Sequence, residues 1–153
     1  MIGDRISSLT DKIGMKTLHL VLLAIASAGI YLIVWLVERY KVFNEMAGKE
    51  IISKDFIATI SILMGISGIL ASSLDYTLAS FAFFINIAVG IMFIVAAFKI
   101  SKAMEYFYAK NFKLDLKFNK FYLVIFHLFY IDYYINKLEE IERKESLLNK
   151  EES

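Results

Sequence analysis

Cysteine and proline are both absent from this chain of 153 residues. Without thiols there is no disulfide scaffold, no thiolate zinc site and no cysteine nucleophile. Two histidines, His19 and His127, show no H-x-x-x-H or H-x-E spacing, which leaves a metal centre unsupported. Neither a P-loop nor a Rossmann glycine pattern occurs, so no nucleotide cofactor is expected. Charge is scarce at 22%, and balanced at 17 Lys plus Arg against 16 Asp plus Glu. A net charge of +1 offers no bulk attraction to nucleic acid, which is not expected as a partner.

What the chain has in excess is apolar surface. Hydrophobic residues make up 58%, aromatics 15%, and the mean hydropathy is +0.58. An ordinary globular domain is about 45 to 50% apolar. Three runs carry no formal charge: 18–37, 56–74 and 76–98. The first, LHLVLLAIASAGIYLIVWLV, would reach about 30 Å as a helix, the thickness of a bilayer's hydrocarbon. Together the runs take 62 of 153 residues, and the remainder is too small to wrap three all-round hydrophobic helices in water. They are therefore expected as three full transmembrane spans. An A-x-A pattern at Ala26 and Ala28 resembles a leader cleavage site, but the apolar run continues through it to Trp35, which suits an anchor better. Only Asp75 separates the second and third runs, so these should form an antiparallel helical hairpin with Asp75 as turn or cap.

The stretch 118–135 differs in kind. It includes Lys120, His127 and Asp132, and its cleanest apolar run, 121–131, amounts to only about 16 Å of helix. Its many tyrosines and phenylalanines favour the headgroup boundary. Two readings stand: a short crossing, or a helix that lies at the interface or dips in and returns. Lysine and arginine orient the rest. The loops 38–55 and 99–120 hold ten basic residues and the hairpin tip none, which puts those loops in the cytoplasm and the N-terminus outside. The split is 10 inside to 7 outside if 118–135 crosses, and 14 to 3 if it does not.

At the ends, Ile2, Ile6, Leu9 and Ile13 recur at helical spacing, as in a surface helix over 1–16. Over 136–153, Leu138, Ile141 and Leu148 continue a stripe from Ile135, and the pairs Glu139 with Arg143 and Glu140 with Lys144 support a solvated amphipathic tail. The first helix should run past its span and end near Gly48, with Ser53 or Asp55 capping the second. The expected fold is all-α: one integral membrane domain over 1–153 in a cell membrane, with three full spans, a short aromatic fourth helix and a polar tail.

Candidate polar residues within the apolar stretches are Asn86, Asp132 and His127. An unpaired amide costs several kcal/mol in hydrocarbon, so Asn86 is expected to face protein. Ser61, Gly65, Gly68 and Ser72 are candidate packing positions that let helix backbones approach, within the hairpin or against a second copy. The run Gly65-Ile66-Ser67-Gly68 is similar to the G-x-S-G of intramembrane rhomboid proteases, with His127 or His19 as nominal partner.

Gly29-Ile30-Tyr31, Trp35, Asn44-Glu45 and the later Tyr133-Tyr134-Ile135-Asn136-Lys137-Leu138 resemble a family of small multi-pass prokaryotic membrane proteins catalogued as a domain of unknown function. The resemblance implies a helical membrane domain and carries over no catalytic residue. The expected role is a non-enzymatic scaffold or accessory subunit in the lipid bilayer, joined to a second copy or to another membrane protein by helix association. The alternatives are permeation or transport of an ion or small solute in an oligomer, and thirdly an intramembrane hydrolase using Ser67.

Overall fold

The computed structural model describes residues 16–113 and 115–151, with side chains as far as Leu138 apart from that of Phe112. The surface helix expected over 1–16 and the tail ion pairs expected at 139–144 therefore lie outside what is described. Five α-helices and no strands make up the described chain: α1 (Thr17–Ala26), α2 (Ile30–Ala47), α3 (Lys54–Ala71), α4 (Tyr76–Phe112) and α5 (Lys120–Glu151). Two of them, α3 and α4, are long and apolar enough to cross a membrane.

The first apolar run, expected as one span, is two helices. Ala28 and Gly29 take left-handed conformations in succession, with φ of 51° and 89°, and the α-helical path ends there. Ser27 serves both sides of the break: its hydroxyl donates to the Ala24 carbonyl and accepts the Tyr31 N–H at 2.9 Å. Beyond the break the chain doubles back. Thr17 and Trp35 reach the same carboxylate, Asp132, although a straight helix would hold them about 27 Å apart. α1 and α2 thus form a short hairpin, packed on each other and, through α1, on α5. Its turn reaches midway along α3, since a Cβ on Gly29 would sit 3.4 Å from Cε of Met64.

The other terminators follow the sequence reading. Gly48 closes α2 in a left-handed conformation, Ser53 accepts the Phe56 N–H to cap α3, and Asp75 accepts the Thr77 N–H at 2.8 Å to cap α4. α3 and α4 form the expected hairpin and make the most extensive helix pairing. α4 then overruns its apolar stretch by fourteen residues, to Phe112. No glycine or proline follows Gly90, and the buried stripe continues unbroken through Phe93, Ala96, Ala97, Ile100, Ala103, Met104 and Tyr108.

α5 reverses as well, at His127, whose φ of 31° and ψ of −110° are not helical. The Tyr122 and Tyr130 rings lie 5.6 Å apart, where a straight helix would separate them by about 12 Å. The Phe118 and Tyr134 rings approach to 4.5 Å, and the Tyr134 hydroxyl donates to the Lys117 carbonyl. The stretch 118–135 is therefore two arms folded on each other about His127 and not one straight helix. The packed core lies at this end of the molecule, where Trp35, Phe43, Ile100, Met104, Tyr108, Leu123 and Leu128 are almost wholly enclosed. The far half of the α3–α4 hairpin is bare by comparison, exposing Ile62, Ile66, Ile69, Phe81, Phe83, Phe84 and Ile87.

Candidate functional site

The α1–α2 hairpin and the returning arm of α5 meet at a buried polar cluster. Asp132 has no solvent exposure and Arg39 has 5%. The Trp35 indole N–H donates to Asp132 Oδ1 at 3.0 Å, and Asn136 Nδ2 donates to Oδ2 at 3.2 Å and to the Asp132 carbonyl at 2.9 Å. Asn136 also donates to the Thr17 hydroxyl at 2.9 Å, and that hydroxyl in turn reaches the Asp132 carboxylate. Arg39 lies over the Trp35 ring at 5.1 Å, donates to Glu38 at 2.7 Å, and supplies positive charge that acts on Asp132.

A buried carboxylate is tolerable only where donors and a counter-charge replace water, and all of these are present. Both carboxylate oxygens are engaged, so the cluster is built as a latch between α1, α2 and α5. The sequence does not mark Arg39 or Thr17 as site residues, and Trp35 and Asn136 stand out in it only through the family resemblance. Arg39 counts there as a charge flanking the first span, yet it falls at the centre of the helical stripe Leu32, Trp35, Leu36, Tyr40, Phe43 and Met46, and that phase is the signal of its burial. Nothing local marks Trp35 or Thr17 as its companions.

The remaining candidates are scattered. His127 occupies the turn of α5, stacked on Phe93 with ring centroids 5.9 Å apart, and its Nδ1 is buried without a hydrogen-bond partner among the described residues. Asn86, expected to face protein, points out of the bundle and is exposed midway along the apolar part of α4. Asn86, Asp132 and His127 thus occupy three separate places in the described chain.

Of the packing candidates, Ser61 is half-buried and bonds within its own helix, Ser72 is exposed, and Gly65 and Gly68 face open space. Contact with α4 goes instead through Ser67, whose hydroxyl donates to the Ala82 carbonyl at 3.4 Å. That places Ser67 eleven residues along α4 from the Phe93 that His127 touches, about 16 Å, too far for a serine–histidine pair. His19 is exposed on α1, close to the latch end.

Elsewhere, Asn44 accepts the N–H groups of Ile51 and Ile52 at 2.9 and 3.0 Å and donates to the Ile52 carbonyl at 2.8 Å, which fixes the loop between α2 and α3. Lys99 of α4 donates to the Ile51 carbonyl at 3.0 Å and lies over the Phe56 ring.

No curated protein and no solved structure matches the chain significantly. The family that does match covers residues 15–106, from the start of α1 to within α4, and so takes in Thr17, Trp35, Arg39 and Asn44 while ending short of Asp132 and Asn136. On that match, over more than half its length, the chain belongs to the family described as a domain of unknown function (DUF4234).

Proposed function

We propose that the chain is a multi-pass protein of the cell membrane that acts as a non-enzymatic scaffold or accessory subunit, using the α3–α4 hairpin to associate with another membrane-embedded chain. Only 17% and 28% of the most apolar windows of α3 and α4 are buried, which suits lipid and partner contact better than a water-soluble core. On this reading α3 and α4 cross the bilayer, while the α1–α2 hairpin and the bent α5 enter from one face and return to it. Every lysine and arginine of the chain lies outside 55–98, so all 17 would sit on a single side, a stronger asymmetry than either threading with a continuous first span. Both termini are then cytoplasmic.

The observation that carries association is Asn86. It is an exposed amide halfway along the apolar stretch of α4, next to hydrophobic side chains and one turn from Gly90, where an added Cβ would meet nothing within 4 Å. In hydrocarbon such an amide costs several kcal/mol unless another chain pairs with it. Gly65 and Gly68, equally open on α3, allow close backbone approach. A photocrosslinking residue at Phe83, beside Asn86, is expected to give a discrete adduct in native membranes. Asn86→Leu should lower the adduct about threefold or more, in keeping with the worth of an interhelical amide bond. A chain that stays strictly monomeric and captures no partner would overturn the proposal.

A further inference from the structure

A groove of about 590 Å³ opens beside the loop between α2 and α3, against the part of α4 that follows its apolar stretch. Its floor is apolar, from Ala47, Ile51 and Ala103. Its rim holds three lysines, Lys49, Lys99 and Lys102, with Tyr106, against one acid, Glu50. Lys99 is held in place by the Ile51 carbonyl and by the Phe56 ring, and an ammonium keeps two further N–H donors after one is used. Lys49 and Lys102 are exposed and make no ion pair among the described residues. The wall is firm because Asn44 fixes both Ile51 and Ile52.

A second observation shows what a ligand would look like. Lys99 is the first charge after the charge-free run 76–98, so the groove lies at the depth of lipid headgroups on the reading proposed above. On the same side of α4, one to three turns back, Val95, Ile91 and Ala88 are exposed and continue the groove as an apolar track about 16 Å long, the depth of one leaflet. A ligand with a compact anionic head and long apolar chains fits both parts. We infer that this groove is a binding site for one anionic glycerophospholipid: its phosphate lies among Lys49, Lys99 and Lys102, and its acyl chains run along Val95, Ile91 and Ala88. Basic pockets at the cytoplasmic end of spanning helices take such headgroups by the same electrostatics.

The inference rests on the membrane reading, and the test separates the two. The full chain is placed in nanodiscs of phosphatidylcholine doped with phosphatidylglycerol, and the lipid retained on ejection is read by native mass spectrometry. The parent should retain phosphatidylglycerol selectively. Lys49→Gln combined with Lys102→Gln, two exposed positions, should lower that retention about 25-fold, at about fivefold per lysine. Lys137→Gln, remote from the groove, should leave it unchanged. Equal retention of both lipids, or an unaltered double variant, overturns the site while leaving the membrane reading intact. Displacement of phosphatidylglycerol by inorganic phosphate alone assigns the groove to a free anion and overturns the lipid. A chain that will not enter nanodiscs at all overturns both readings together.

Discussion

Asp132 is a formal charge with no route to water, held by the Trp35 indole, Asn136, the Thr17 hydroxyl and the field of Arg39. Removing one member of such a set leaves the others buried and unpaired, so the cost exceeds that of the lost bond. Asp132→Ala is expected to destabilise the chain by about 1–3 kcal/mol for each donor left unanswered, chiefly the buried Trp35 N–H. Trp35→Phe, which deletes a single donor to a charged acceptor, should cost about 1.5–3 kcal/mol. Thermal unfolding in detergent, followed by size exclusion, measures both. The chain has one tryptophan, so the emission of Trp35 reports the latch directly and should shift to the red in Asp132→Ala. A variant with parental melting and emission would show that the carboxylate is not clamped. Asp132 was legible in the sequence as a lone acid among tyrosines. Asn136, one turn on, is its local partner; Arg39, Trp35 and Thr17 lie 93, 97 and 115 residues away in the chain, and no local pattern brings them together.

Among the helices, hydropathy revealed which residues leave water and was silent on where the chain reverses. The run 18–37 has the length and composition of a span, yet Ser27-Ala28-Gly29 divides it because two left-handed residues and a capping hydroxyl stabilise a turn better than a continued helix. Gly29 tests this. At φ of 89° an alanine pays about 1–2 kcal/mol for the left-handed conformation, so Gly29→Ala should lower the melting temperature. If Gly29→Ala melted higher than the parent, the segment would be a continuous helix. Glycine at least hints at that break. At His127 no glycine or proline gives warning, and the reversal is stabilised by ring packing between the arms, Tyr122 on Tyr130 and Phe118 on Tyr134. The capped hairpin at Asp75 was readable because its signal is local; the extension of α4 to Phe112 was masked by the lysines on its outer face.

For the whole molecule, on the membrane reading proposed above, the two reversals and the charge distribution fit one threading. If 18–37 were a straight span, the residues before it and those after it would lie on opposite sides of the bilayer. In the described fold Thr17 instead shares a carboxylate with Trp35, and α5 returns to the same end, so the two entering hairpins and their basic flanks lie together. The hairpin tip at Asp75, capped and free of lysine and arginine, is at the opposite end of α3 and α4. Because the natural chain has no cysteine, single cysteines placed by substitution report sidedness without background. Ser73→Cys should react with a membrane-impermeant maleimide in intact cells. Lys12→Cys, Lys110→Cys and Lys137→Cys should react only after permeabilisation. The decisive position is 12: labelling there in intact cells would restore a continuous first span, separate Thr17 from Asp132 by the thickness of the bilayer, and dismantle the latch along with the threading.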